Sequence, residues 1–175
     1  MEKGLVHVYF GDGKGKTTAA LGLGLRASGR GYRVLMVRFL KGRDSGEIRA
    51  AEKLPNFRIL PGPERIPFFY RMNDEEQRSY RTLARAMFSE ACDAVESGEA
   101  DLLILDEILD AISSRILETE EVAEFLKHKP RELEVVLTGR NPPREISDLA
   151  DYITEMRKIR HPYDSGITAR PGIEK

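Results

Sequence analysis

The stretch Gly11-Asp12-Gly13-Lys14-Gly15-Lys16-Thr17-Thr18 constrains this chain more than any other, because it joins a short apolar run, Leu5 to Phe10, to an Ala/Leu/Gly-rich segment that reads as a helix. Strand, glycine-rich loop and helix in that order make an anion cradle. Glycines let consecutive N–H groups turn inward, the helix N-terminus adds partial positive charge, and the lysine neutralises phosphate oxygens. The hydroxyl of Thr17 stands where such loops hold Mg²⁺. The common pattern has four residues between the first glycine and the Gly-Lys pair. Here only Asp12, Gly13 and Lys14 separate Gly11 from Gly15-Lys16, so the loop is one residue short.

A chain of 175 residues can bury one good core and is too short for two ordinary domains, so a single nucleotide-binding domain over residues 1–175 is expected. With 28 basic and 29 acidic residues the net charge is −1. No global field therefore argues for nucleic acid or an anionic membrane surface. The single cysteine, Cys92, has no internal disulfide partner, the N-terminus shows no apolar signal region, and no apolar run approaches the length of a membrane span. A cytoplasmic protein is the expectation.

Near-continuous apolar runs of strand length recur at Val6 to Phe10, Val34 to Leu40, Leu102 to Leu105 and Val135 to Thr138. Such runs suit a parallel sheet covered on both faces, and the helical stretches between them predict a doubly wound α/β fold with three αβα layers and a mainly parallel sheet. The clearest helix runs from about Asp74 to Ser97, capped by Asn73 with Glu76 three residues on. Its spacing predicts an inner face of Tyr80, Leu83, Ala84, Met87, Phe88, Ala91, Cys92 and Val95, which makes Cys92 a core residue rather than a nucleophile. Gly22 and Gly24 each cost the first helix roughly 1 kcal/mol relative to Ala, and close packing on the sheet is the expected compensation.

Ligands of open parallel sheets bind beyond the carboxyl ends of the strands, and each predicted strand here runs into polar residues of functional type. The first meets the phosphate loop. The second meets Arg38 and Lys41-Gly42-Arg43-Asp44, and another ends in Thr138-Gly139-Arg140-Asn141. Leu102-Leu103-Ile104-Leu105-Asp106-Glu107 has the form of a Walker B strand, and Asp106 and Glu107 could join Thr17 and phosphate oxygens around Mg²⁺. A weak last strand, Tyr152 to Met156, leads to Arg157, Lys158, Arg160 and His161. His7, His128 and His161 form no readable metal or nucleophile constellation, which favours chemistry whose nucleophile arrives on a second substrate.

Taken together, Gly-Asp-Gly-Lys-Gly-Lys-Thr-Thr-Ala-Ala (11 to 20), Arg-Phe-Leu-Lys-Gly (38 to 42), Leu-Asp-Glu-Ile (105 to 108), Thr-Gly-Arg-Asn-Pro-Pro (138 to 143), Leu-Ala-Asp-Tyr-Ile-Thr-Glu-Met (149 to 156) and the tail from His161 to Glu174 resemble the ATP:corrinoid adenosyltransferases. The short loop is the normal form in that family. The resemblance implies a RecA-like P-loop fold, a homodimer, a flavoprotein or other reductant as partner, and transfer of the 5′-deoxyadenosyl group of MgATP to the cobalt of a reduced corrinoid, leaving triphosphate. Co(I) would itself attack the ribose C5′, and ATP would lie with its γ-phosphate deep in the loop. Lys16, Thr17 and Glu107 are then the expected catalytic residues. Gly11, Asp12, Gly13, Lys14, Gly15, Lys16, Thr17, Thr18, Arg38, Lys41, Arg140, Phe68 and Phe69 are the expected substrate-binding ones, with Thr17, Asp106 and Glu107 at the metal.

Two departures stand out. The family usually has Gln where Arg38 stands, and a Phe-Thr-Trp element in the loop before the long helix, whose aromatics displace the lower cobalt ligand. This chain has no Trp, and Phe68, Phe69 and Tyr70 are the expected substitutes. The chain is also expected to lack the N-terminal extension that covers the corrinoid in some members. The rival readings are a P-loop ATPase or small-molecule kinase in which Glu107 polarises water or a hydroxyl, and a non-catalytic ATP- and corrinoid-binding module.

Overall fold

The computed structural model describes residues 2–42, 45–63, 67 and 69–174. Six parallel strands, β1 (Val6–Phe10), β2 (Val34–Arg38), β3 (Phe57–Ile59), β4 (Leu102–Asp106), β5 (Glu134–Thr138) and β6 (Tyr152–Glu155), form one sheet in the order β3-β2-β4-β5-β1-β6. Register follows the pleat: Arg38 pairs with Asp106 across β2 and β4, and Tyr9 with Thr138 across β1 and β5. The functional strand ends are thereby brought level.

Alternate residues of the buried strands feed two cores. Leu35, Val37, Leu103, Leu105, Val135 and Leu137 face one, with α3 (Asp74–Glu96), α4 (Ile108–Ser113), α5 (Thr119–His128) and α6 (Arg144–Ser147) over them. Val34, Met36, Leu102, Ile104 and Val136 face the other, under α1 (Lys16–Ser28) and α2 (Gly46–Ala51). The expected three-layer P-loop architecture is present, with the sheet parallel throughout. Strands covered on both faces have no polar side to show, which is why β2 and β4 read as continuous apolar runs.

Several details differ from the sequence reading. β2 stops at Arg38, two residues short of Leu40; Phe39 is fully buried and still donates its N–H to the Asp106 carbonyl of β4 at 3.0 Å. β3, only three residues long on the sheet edge, was too short to show a period. In α3 the capping box is formed, with Glu75 and Glu76 amides donating to the Asn73 side chain and Glu76 reaching back to the Asn73 N–H. Leu83, expected inside, is 37% exposed and Ala94 is buried in its stead, because the helix meets the sheet along a narrower stripe than the apolar set drawn from its sequence. Cys92 packs half-buried against the core, and burial pushes its thiol up to about 11. Gly24 confirms the packing account, since a Cβ there would come 2.8 Å from the Phe57 ring; Gly22 does not, having open space around it. No helix among the described residues is long and apolar enough to cross a membrane.

Candidate functional site

The phosphate loop connects β1 to α1 and is held open by its neighbours. Gly11 and Gly15 take φ of 110° and 119°, angles that glycine adopts without strain. The Gly11 N–H donates to the Arg140 carbonyl at 3.3 Å and the Gly13 N–H to the Met156 carbonyl at 2.6 Å, so the exits of β5 and β6 brace the loop from the side. A Cβ on Gly11 or Gly13 would come 2.5 Å from that Met156 oxygen. Asp12 belongs to the same bracing: its carboxylate accepts from the Lys158 backbone N–H at 2.8 Å, which holds its pKa below the usual carboxylate range.

Lys16 folds back across the loop and donates to the Gly11 and Gly13 carbonyls at 2.7 and 2.8 Å. Burial, then the nearby Arg140 charge, pulls its pKa below that of an ordinary lysine. An anion placed between these two cations would relieve both effects. Together with the first-turn N–H groups of α1, which have no intrahelical partners, this makes a cradle suited to an anion. Gly13, Lys14, Gly15, Lys16, Thr17 and Thr18 line a cavity of about 330 Å³, and Lys41 and Glu107 line it too.

At the strand ends sits a dense polar cluster. Asp106, the last residue of β4, is fully buried and accepts from Thr17 Oγ1 at 2.8 Å and from Thr138 Oγ1 at 2.7 Å, both on Oδ1. Lys41 Nζ donates to Asp106 Oδ2 at 2.9 Å and to Thr17 Oγ1 at 2.8 Å, and lies 3.5 Å from Glu107 Oε1. Burial alone would lower the Lys41 pKa; the two carboxylates outweigh it and hold it above the ordinary value. The Glu107 carboxyl is raised as well, in its case by burial, against the opposing pull of Lys41. It takes a left-handed backbone, φ 62°, as β4 turns into α4, and its N–H donates to Thr138 Oγ1 at 2.8 Å. A non-glycine residue in that region marks a turn held by its surroundings. Here the turn swings the carboxylate toward Lys41.

A divalent cation fits this cluster. The donors are all oxygen, as Mg²⁺ requires, and the Lys41 ammonium already places a positive charge against Thr17 Oγ1 and Asp106 Oδ2. Thr17 and Asp106 meet directly, and the Glu107 carboxylate approaches them through Lys41.

A second cavity of about 390 Å³ opens on the other side of Glu107, lined by Leu40, Pro67, Phe69, Tyr70, Glu107, Asp110, Ser114 and Arg140. Four of these residues are apolar or aromatic, and the other four bring two carboxyl groups, a hydroxyl and a guanidinium. Phe69 lies in a 3-10 turn, Phe69–Arg71, between Tyr80 (ring centroids 6.1 Å apart) and the Arg81 guanidinium 5.2 Å away. Phe68, Arg43 and Asp44 lie outside the described residues.

Arg38 is in neither lining. It is 4% exposed at the end of β2, its Nε has no hydrogen-bond partner, and its guanidinium stands 3.4 Å from Glu47, which does line the phosphate cavity. Sequence reasoning missed Glu47 and Asp110, since an acid within a short helix has no signal of its own. Gly172, Ile173 and Glu174 of the tail also line the phosphate cavity. There the tail resemblance was a signal, but no spacing tells where a tail folds. His7 pairs with Glu134 at 2.6 Å and stacks on Tyr152, a structural contact near the start of β1.

The chain is 32% identical over 179 residues to the corrinoid adenosyltransferase of Escherichia coli (strain K12), covering 99% of this chain and 86% of that protein. It is 35% identical over 182 residues to the corrinoid adenosyltransferase CobA of Salmonella typhimurium (strain LT2), again covering 99% and 86%. Among solved structures, the KaiC-like protein PH0186 of Pyrococcus horikoshii OT3 aligns with a TM-score of 0.48 at 15% identity, over 90% of this chain and 75% of that one. The model of the family described as ATP:corrinoid adenosyltransferase BtuR/CobO/CobP matches residues 2–174, and the chain belongs to that family.

Proposed function

We propose that the chain acts as one nucleotide-binding domain, working in the cytoplasm as a homodimer, that transfers the 5′-deoxyadenosyl group of MgATP to the cobalt of a reduced corrinoid in adenosylcobalamin biosynthesis or corrinoid salvage. The observation that carries this reading is Glu107 standing between two unlike cavities, one basic and glycine-lined, the other walled by Leu40, Pro67, Phe69 and Tyr70. A triphosphate suits the first. A large ring with an apolar face suits the second, where its metal can approach the nucleotide.

In the reaction the Co(I) electron pair forms a bond to C5′ while the C5′–O bond breaks, and that oxygen carries the electron pair away on triphosphate; cobalt becomes formally Co(III). No protein base is needed. Lys16, Lys14 and the loop N–H groups bind the triphosphate and take up the charge growing on the departing oxygen, and fixing C5′ next to the second cavity supplies the proximity. Mg²⁺, held by Thr17, Asp106 and Glu107, would neutralise phosphate charge when bound. Lys41, which lines the same cavity, adds a further cation for the triphosphate. A flavoprotein or other reductant is the proposed source of the electron that makes Co(I).

Incubation with MgATP and chemically reduced corrinoid should yield triphosphate and adenosylated corrinoid in equal amounts, with little ADP when corrinoid is omitted. Rapid corrinoid-independent release of ADP, with no Co–C bond formed, would overturn the reading in favour of a hydrolase or kinase.

A further inference from the structure

The second cavity contains a carboxylate to which adenosyl transfer assigns no task. Asp110 lies in the first turn of α4, between the flanking residues Glu107 and Ser114, and all three line the cavity. The place of Asp110 is built by its surroundings. Gly139, with φ 150°, approaches so closely that a Cβ there would lie 2.5 Å from Leu109 Cβ and 2.9 Å from Asp110 Oδ2. The Arg140 backbone N–H also faces the carboxylate. The charges around it are Arg140 from the end of β5 and Lys16 from α1, which attract it, and Asp106 from β4 and Glu107 at the start of α4, which repel it. A triphosphate in the first cavity would engage Lys16 and leave Asp110 turned toward the second.

Resting on the adenosyl-transfer reading, we propose that Asp110 is a specificity-determining residue for the second substrate: it accepts N–H groups from primary amide side chains on the corrin rim and disfavours a rim of free carboxylates. An ionised carboxylate offers acceptors only, and a primary amide offers it two donors. A substrate carboxylate in the same place brings like charge and no donor, so the pair can coexist only if one takes up a proton. Ser114, with a hydroxyl that both donates and accepts, extends the amide-compatible wall. Arg140 on the same wall would attract a substrate carboxylate, but its charge is answered by Asp110 beside it.

The test uses the full chain with MgATP and two chemically reduced corrinoids, one with every peripheral side chain a primary amide and one with them as free carboxylates, comparing kcat/KM. The wild type should prefer the amide form, and Asp110→Asn should shrink that preference about tenfold, the worth of one charge-assisted hydrogen bond. The amide substrate should lose rate and the carboxylate substrate should gain it, with no fall in thermal midpoint. Asp110→Ser serves should the Asn variant fold poorly. Preference for the carboxylate form, or a ratio untouched by either substitution, would overturn the inference while leaving adenosyl transfer standing. Transfer to neither corrinoid by the wild type would overturn the underlying reading itself.

Discussion

The Lys41 ammonium and the Thr17 hydroxyl stand 2.8 Å apart, and both bind the same buried carboxylate, Asp106. A lysine thus holds together the oxygens proposed for Mg²⁺. Displacing it costs the cation little when triphosphate offers new partners, whereas loss of Asp106 charge removes the ligand itself. Asp106→Asn should raise the Mg²⁺ concentration for half-maximal turnover by at least about tenfold, the order expected for a lost charged ligand. An unaltered Mg²⁺ titration would dispose of the assignment.

Lys16→Ala removes a cation that braces the loop through the Gly11 and Gly13 carbonyls and would bind triphosphate. With each charge-assisted bond worth roughly 1.5–3 kcal/mol, turnover should fall below detection. The far-ultraviolet circular dichroism should not change, because no core contact depends on the ammonium. Wild-type-like triphosphate release would refute the role.

Phe69 sits on the apolar wall beside Tyr70. Phe69→Ala, alone or with Phe68→Ala, should impair the reaction started from Co(II) plus reductant far more than the one started from preformed Co(I), if the wall strips the lower cobalt ligand. Equal losses in the two assays would mean that the ring only packs.

Gly139 combines φ 150° with backbone and side-chain atoms of α4 in the space a Cβ would need. Gly139→Ala should destabilise by about 1–3 kcal/mol, as overpacking does, and displace Arg140 and Asp110 together. A chemical-denaturation midpoint equal to wild type would show that the turn is looser than its geometry.

Burial raises the Asp110 carboxyl above its ordinary value of 3.8, with Arg140 and Lys16 opposing. The folded chain therefore holds this proton more tightly than the unfolded one. Its contribution to stability is fully present below the unfolded value and is lost as pH rises through the folded one. Thermal scans should find Asp110→Asn level with wild type in acid and gaining on it toward neutral pH. A difference that is constant with pH would contradict the direction of the shift.

The sequence by itself determined the layered architecture and half of the site. Gly11 through Thr18 and Leu102 through Glu107 are local patterns: the glycine spacing sets the loop, and an apolar run closed by two acids sets a buried strand whose end must be polar. α3 was legible for the same reason, its cap and stripe lying within one helix. Only the tertiary structure decided what depends on partners distant in the chain. Asp110 becomes part of a cavity because Gly139 lets β5 press against α4, and Lys41 finds Asp106 across 65 residues. Arg38 is sealed beside Glu47 although its sequence neighbours suggested an open phosphate contact. Side-chain chemistry repeats along any chain, and which groups meet is set by strand order and register, quantities that no local spacing encodes.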